Sequence, residues 1–488
     1  MSDFRAERPP YFTPEQWAEL LRRQKLNGAS APVDEDPESP RQAASPFSDS
    51  ALALRFVAKH AHHLRYVAKW SQWFRWNGAR WVEDSTPDAF DLAHDLCREA
   101  AVGCRNKKEQ KAVESAKTTA AVITLARADR RIAATTGQWD GELWFLNTPD
   151  GVVDLTTGNM RPHLADDYMT MITAVGPRGA CPKFEEFLKQ VMNGDEALIA
   201  FLWRALGYCL TGDVSEQAIF FSHGVGQNGK TTFMSTVASV LRSDYCLATP
   251  IETFTESKND RHPTELARMR AARLVTATET EGGRYWAESR IKELTGGEKI
   301  AARFMHRDFF EYRPQFKPWV SGNHRPRLRS VGPAMRRRIN MIPFAVKIPD
   351  RERDTQLASK LKDEWPGILQ KMIDGCLDWQ ERGLAPPEAV TAATDAYFEG
   401  EDGYSDWIAD CCDTGPTAMG KSSELFASWK AWAERNGQPA RDSKHFREEL
   451  ERLGFPWKRA NDANYYAGLF VRPPPTSPDG AGGAWEVR

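Results

Sequence analysis

The chain has 488 residues, 41% of them hydrophobic and 27% charged. That length asks for about two to four domains, and the composition excludes a mainly disordered, collagenous or membrane-embedded chain. Lysine and arginine total 65 against 67 acids, a net charge of −2, so a nucleic-acid site has to be a local concentration of charge.

Met1-Ser2-Asp3-Phe4-Arg5 lacks an apolar signal core, and no apolar run reaches the ~18 residues a membrane span needs. Eight cysteines are scattered with no C-x-x-C pair, which disfavours a zinc ribbon and suits a reducing cytoplasm. His60, His62 and His63 lie close together with no cysteine or carboxylate motif. They read as helix surface rather than as a metal site.

Residues 1–28 carry a short helix signal. Thr13 can cap it, Pro14 suits its first position, and Phe12 and Trp17 are spaced as a staple. Such a helix either docks on its own protein or serves a replication partner or neighbouring subunit. Residues 29–49 read as a flexible linker. From residue 50 to 180 an α+β domain is expected. It would hold a helix and strand over Leu52 to Trp70 and a hairpin from Trp73 to Val82 about a tight Asn77-Gly78 turn. A little-broken helical stretch from Ala89 to Ile132 and short strands over Leu146 to Leu155 would complete it. Residues 181–216 read as a helical collar or oligomerisation segment, interrupted near Asn193-Gly194. Strands and helices then alternate over 217–350, the pattern of an α/β sheet. A helical connection over 351–403, a helix-helix-strand block over 404–472 that fits a winged helix, and a disordered tail over 473–488 close the chain.

Ala218 to Phe221 is a short apolar run leading into Gly224-Val225-Gly226-Gln227-Asn228-Gly229-Lys230-Thr231, and a helical segment follows. G-x-x-x-x-G-K-T between a strand and a helix is a phosphate-binding loop. Glycines let backbone N–H groups turn inward on phosphate oxygens, and the helix N-terminus favours negative charge. The lysine reaches the β- and γ-phosphates, and the threonine hydroxyl ligates Mg²⁺. Gly224, Gly226, Gln227, Asn228, Gly229, Lys230, Thr231 and Thr232 are the expected nucleotide contacts, with ATP and Mg²⁺ as cofactors.

Leu274 to Thr278 is a β-prone run ending in Glu279-Thr280-Glu281. One carboxylate there would hold Mg²⁺ through water and another would polarise the attacking water. The choice stays open, with Glu279 favoured and placed with Thr231 at the metal. Pro318 to Gly322 is a second apolar strand, and Asn323 at its tip would sense the γ-phosphate or orient the water. Arg336, Arg337 and Arg338 precede the strand Ile339 to Phe344. They are either a solvated run or an arginine finger given to a neighbour's nucleotide, which implies a ring.

Between Arg303 and Arg338 ten basic residues face only Asp308 and Glu311, a patch that argues for phosphate contacts. Lys299 to Met305 and Phe309 to Tyr312 flank His306-Arg307-Asp308 as a hairpin with a basic tip. Lys299, Arg303, His306 and Arg307 are the expected DNA contacts.

Together these segments resemble the superfamily 3 helicases, specifically the phage and plasmid primase-helicase family with its poxvirus, parvovirus and papillomavirus relatives. The likeness rests on Gly224 to Thr231, Glu279, Ile291 to Glu298, Ser321 to Pro326, and Arg337-Arg338 with Ile342-Pro343-Phe344. Trp73 to Trp81 and Leu146 to Gly158 look like the domain ahead of the helicase in phage members, and Ser422 to Phe455 with Tyr465-Tyr466 like the family's C-terminal winged helix. The resemblance implies a multidomain α/β and α+β chain with an AAA+-type P-loop ATPase core over 217–350. It implies a homohexamer that moves 3′→5′ on single-stranded DNA and unwinds forked duplex for a phage, prophage or satellite element. Lys230 and Thr231 would be ligands, Asn323 the sensor, and Arg338 or Arg337 the finger. A primase or replication initiator would be met through the N-terminal helix or the winged helix, in the host cytoplasm and away from membranes. No zinc ribbon or acidic polymerase cluster marks a primase, so no primer synthesis is expected of this chain alone. An origin-binding or replisome-loading ATPase without processive unwinding, and another P-loop ATPase, are the alternatives.

Overall fold

The computed structural model describes residues 45–256, 264–279, 283–305, 308–328, 332–400, 403–436, 440, 442–459 and 463–473. The helix expected in 1–28, nearly all of the linker and the tail lie outside these described residues.

Helix α1 (Asp49–His60) starts at Ser48, whose side chain accepts from the Ala51 N–H. Strands β1 (Leu64–Val67), β2 (Gln72–Trp76) and β3 (Trp81–Glu83) follow as an antiparallel meander, with Trp76 opposite Trp81. The Asn77-Gly78 turn is a four-residue loop instead of a two-residue one. Asn77 Oδ1 accepts from Ala79 N at 3.0 Å and Arg80 N at 2.9 Å, which closes the wider turn. The stretch expected as little-broken helix is three helices: α2 (Asp88–Ala101), α3 (Lys107–Val113) and α4 (Ala116–Ala126). The breaks fall at Asn106 and Ser115, whose side chains cap the helices that follow. Strand β4 (Ala133–Ala134) completes a sheet of order β3-β2-β1-β4. His60, expected on the surface, is buried at the end of α1. Burial, then the neighbouring His63, lowers its pKa to about 4.

Strands β5 (Phe145–Thr148), β6 (Gly151–Asp154) and β7 (Met160–Arg161) form a small antiparallel sheet. Helices α5 (Pro182–Val191) and α6 (Glu196–Leu210) are separated at Asn193 and Gly194, both at positive φ.

The central unit holds β8 (Ile219–His223), α7 (Lys230–Tyr245), β9 (Cys246–Ala248), α8 (Thr264–Arg268), β10 (Leu274–Glu279) and α9 (Glu288–Thr295). It continues with β11 (Ile300–Ala302), β12 (Phe310–Tyr312), β13 (Lys317–Gly322), α10 (Pro333–Arg336) and β14 (Ile339–Pro343). Five of these strands make a wholly parallel sheet of order β14-β8-β13-β10-β9. Alternate side chains enter different cores. Phe220, Trp319, Ile342 and Leu274 pack with α5, α6 and α7, while Ile219, Phe221, Val320, Met341 and Val275 pack on the other face with α9. Both faces are covered, which is why these strands read as continuous apolar runs.

Helices α11 (Leu357–Lys362), α12 (Trp365–Arg382), α13 (Glu388–Gly400) and α14 (Gly403–Cys411) follow. Helix α12 crosses α6 at backbone contact. A Cβ on Gly207 would strike the Cys376 backbone, and one on Gly375 would strike Trp203. The last block is β15 (Cys412–Lys421), α15 (Ser422–Arg435), α16 (Ser443–Arg452), β16 (Trp457–Arg459) and β17 (Asn464–Val471), with sheet order β15-β17-β16. It has an aromatic core of its own around Trp407, Trp429, Phe446 and Tyr466. Among the described residues no helix is long and apolar enough to cross a membrane.

Candidate nucleotide site

An open parallel sheet binds ligands beyond the carboxyl ends of its strands, where the strand order reverses. Here β8 is the first strand in sequence and lies between the last two, β14 and β13. The register aligns the strand tips: Gly322 is paired with His223 on one side and with Glu279 on the other. Strand β13 therefore stands between the strand that feeds the glycine loop and the strand that ends in acid.

The loop from Gly224 to Gly229 turns back into α7 through four positive-φ residues, Gly224, Gly226, Gln227 and Gly229. Glycine is required at two of them by contact as well as by φ. A Cβ on Gly224 would collide with the Asn228 amide and the Phe344 carbonyl. One on Gly229 would lie 2.6 Å from Val191 Cγ1 of α5. At Gly226, by contrast, a Cβ would meet no described residue within 4 Å, so the crest of the loop is not packed against α5. Asn228 pins the loop by donating from Nδ2 to Phe344 O at 2.9 Å, and Ile348 N donates to Gln227 O at 2.9 Å.

Lys230 is buried, and its ammonium donates to three oxygens: Gly224 O at 2.7 Å, Asn228 Oδ1 at 3.0 Å and Asn323 Oδ1 at 3.2 Å. Burial alone lowers its pKa from the ordinary lysine value. Two more polar atoms sit at the strand tips, buried and without a hydrogen-bond partner among the described residues: His223 Nε2 and Ser321 Oγ. Burial, then the charges of Arg325 and Lys230, brings the His223 pKa down to about 4. A concave glycine loop at a helix N-terminus, a lysine aimed into it and unsatisfied polar atoms beside it form a donor set that suits phosphate oxygens.

The residues picked out from the sequence separate into groups. Gly224, Gly226, Gln227, Asn228, Gly229, Lys230 and Asn323 come together. Thr231 is exposed and Thr232 half-buried on the first turn of α7. Glu279 ends β10 beside Gly322 in the ladder; Glu281 lies outside the described residues. Arg338 is 5% exposed and turned inward, with Nε donating to Thr295 Oγ1 at 3.1 Å and Nη1 to Ala334 O at 2.8 Å. Burial, then neighbouring Arg337, lowers its pKa. Arg337 is exposed and reaches Gln217 Oε1 at 3.3 Å. Both arginines precede β14, whose first residue, Ile339, is paired with Ile219 at the start of β8. They stand at the sheet's opposite end from the glycine loop, the length of a strand away, about 16 Å.

The hairpin β11–β12 pairs Ile300 with Tyr312 and Ala302 with Phe310. Lys299 Nζ lies 3.9 Å from Glu311 Oε2, and the Arg303 guanidinium lies 4.8 Å from the Phe309 ring centroid. His306 and Arg307 fall outside the described residues. Reading for charge missed the apolar side chains here. Phe304, Phe309 and Met305 are exposed, Met305 at 62%. The signal was in the sequence, where Phe304-Met305 and Phe309-Phe310 bracket the tip. Phe344, whose carbonyl holds Asn228, was also missed, because a backbone contact leaves no side-chain signature.

Residues 53–193 match the family described as D5 N terminal like, and residues 222–338 match a family of unknown function, DUF5906. The "Putative helicase L207/L206" of Acanthamoeba polyphaga mimivirus is 25% identical over 324 residues, covering 61% of this chain and 34% of that protein. The "Putative helicase 022R" of Frog virus 3 (isolate Goorha) is 22% identical over 282 residues, covering 53% of this chain and 28% of that protein. The chain thus spans about a third of the length of these curated relatives. The apo C-terminal region of NrS-1 shares the fold at a TM-score of 0.51 and 9% identity, over 86% of this chain and 99% of that one. The chain is a mixed α/β, multidomain protein with a D5 N terminal like region and a DUF5906 region, and it is similar over part of its length to viral proteins named as helicases.

Proposed function

We propose that the chain is an ATP-dependent DNA helicase of an AAA+-type P-loop fold that works as a ring, a hexamer by family resemblance. The observation that carries this is the Lys230 ammonium held between Gly224 O, Asn228 Oδ1 and Asn323 Oδ1 at the switch point of a parallel sheet. In this reading Lys230 moves from those oxygens to the β- and γ-phosphates of ATP, and the loop N–H groups hold the phosphates. Thr231 and Glu279 would hold Mg²⁺, which would supply positive charge to offset that of the phosphates. Asn323 orients the attacking water, and Glu279 or Glu281 draws its proton.

The far position of the arginines supports joint sites between subunits. An arginine at the amino end of the sheet is remote from its own loop and free to meet a neighbour's. Exposure favours Arg337 over Arg338 as the finger. The basic hairpin with Lys299, Arg303, His306 and Arg307 grips the single strand in the channel, with 3′→5′ movement by family resemblance. The C-terminal block is read as a winged helix, and it or the N-terminal segment meets a primase or initiator.

The test is ATP turnover with and without single-stranded DNA, together with displacement of a strand from a forked duplex. Stimulated turnover and displacement are expected. Stimulated turnover without displacement would favour a loading ATPase, and turnover indifferent to DNA would remove the helicase reading.

A further inference from the structure

We propose that the surface formed by α3 and the start of α4 is a second DNA contact, which binds the phosphate backbone of duplex DNA without reading its sequence. Lys107, Lys108, Lys111 and Lys117 are all exposed there, and Arg105 beside them is exposed too. The four lysine side chains form no hydrogen bond or ion pair with any described residue. The two helices are tied at this surface: Thr118 Oγ1 donates to Ala112 O at 2.9 Å, and the Ser115 hydroxyl to the same carbonyl at 2.7 Å. Lys111 and Lys117 therefore flank one fixed turn, and Lys107 lies one helical turn before Lys111.

Local stability accounts for Lys111, which lies in the last turn of α3, and not for the other three lysines. Lys107 and Lys108 fall in the first turn of α3 and Lys117 in the first turn of α4, which has no acid. The helix dipole disfavours a cation at each of those positions. Four like charges within eleven residues also repel one another, and the two acids among them, Glu109 and Glu114, offset only part of that repulsion. A polyanion laid across them removes both costs.

The chemistry of the surface selects the polymer. Residues 105–118, Arg-Asn-Lys-Lys-Glu-Gln-Lys-Ala-Val-Glu-Ser-Ala-Lys-Thr, contain no aromatic side chain. Contacts to single strands rely on aromatic stacking as well as charge. Flexible ammonium groups alone suit the regular phosphates of a duplex and carry no base readout. This surface lies outside the central sheet, so it can hold parental duplex while the hairpin takes the separated strand. The inference rests on the proposed function only in taking the polymer to be DNA.

The test is binding of a 30-base-pair duplex and of a single-stranded 30-mer to the full chain over a salt series. The variant carries Lys107→Ala, Lys108→Ala, Lys111→Ala and Lys117→Ala together. Duplex affinity is expected to fall roughly tenfold or more, and the slope of log K against log salt to flatten by about 0.9 for each lysine replaced, up to about 3.6. The quadruple Lys→Arg variant should keep duplex binding, and turnover of ATP without DNA should be unchanged in both. Single Lys107→Ala and Lys111→Ala variants give the same reading, one step of slope each, if the quadruple variant does not fold. Unchanged duplex affinity and slope in the folded alanine variants overturn the proposal, as does a loss confined to the single strand. Binding of poly-glutamate but not of duplex overturns it in favour of an acidic protein partner. Lys230→Ala separates this inference from the proposed function, because it should abolish turnover and leave duplex binding through the lysines intact.

Discussion

Lys230 Nζ and Asn323 Oδ1 lie 3.2 Å apart, which joins the end of the glycine loop to the tip of the neighbouring strand. The two residues are far apart in sequence, and the β8–β13 pairing with Ser222 opposite Ser321 brings them together. In the proposed function a nucleotide that took the lysine would release the amide, and Asn323 would respond to what Lys230 holds. Lys230→Ala is expected to abolish ATP hydrolysis while circular dichroism and the melting profile stay close to the parent. Asn323→Ala should keep nucleotide binding and lose turnover by about 10²–10³-fold, the usual cost of one positioned polar group. Binding of a fluorescent ATP analogue alongside phosphate release separates the two variants. An Asn323→Ala chain with normal turnover would remove the amide from the mechanism.

Arg337 and Arg338 are adjacent, yet they should fail in different ways. Arg337→Ala is expected to bind nucleotide normally, keep its melting temperature and lose turnover by about 10³-fold or more. Mixing it with Lys230→Ala should restore part of the turnover, since a mixed ring contains some pockets with both an intact loop and an intact finger. Arg338→Ala should instead lower stability by about 1.5–3 kcal/mol, because a buried charged donor leaves Thr295 Oγ1 and Ala334 O. Absence of rescue in the mixtures would count against action between subunits.

The legible part of the site was the contiguous part. Eight consecutive residues, Gly224 to Thr231, specify a loop whose backbone geometry is local, and short-range steric rules are enough to read it. The hairpins β2–β3 and β11–β12 were legible for the same reason. Strand order was not, because placing β13 between β8 and β10 depends on pairing between distant segments. Nor was the contrast between Arg337 and Arg338. One step along the chain where α10 gives way to β14 turns one side chain to solvent and the next inward. Burial of His60 depended on helix α1 packing into a core built from residues up to Ile132. The breaks at Asn106 and Ser115 did carry a signal, since asparagine and serine are preferred helix caps; helical composition on either side concealed it.

Glycine at 229 combines a backbone and a packing requirement, so its replacement tests the loop without touching a phosphate ligand's charge. Its φ is +83°, a region costly for any residue with a Cβ, and the new carbon would press on Val191 and Phe187 of α5. Gly229→Ala should weaken nucleotide binding by at least about tenfold, as strain of about 1–3 kcal/mol displaces the loop. At Gly226, where a Cβ would meet no described residue, Gly226→Ala should cost only the φ term and weaken binding less. Equal affinities for the two variants would mean that α5 does not support the loop.

Lys317, the first residue of β13, provides a pH test at the opposite end of that strand from Asn323. It is 1% exposed, and its ammonium donates to Thr211 O at 2.5 Å, Asp213 O at 3.1 Å and Gln315 O at 3.4 Å, which ties the end of α6 to the start of β13. Burial, only partly offset by Cys209, brings its pKa down to about 7. The unfolded chain binds this proton up to the ordinary lysine value near 10.4. Between those two values the unfolded state therefore holds more protons than the folded one, and stability must rise with pH across that window. Below about pH 7 both states are protonated and the dependence vanishes. Chemical unfolding of the parent and of Lys317→Met, compared at pH 7 and pH 9, isolates this group from every other that titrates. The parent should gain up to about 2.7 kcal/mol relative to the variant over that interval. A flat difference would mean that the three carbonyl oxygens keep Lys317 charged throughout, and the carbonyl cage would then be the stronger influence on this lysine.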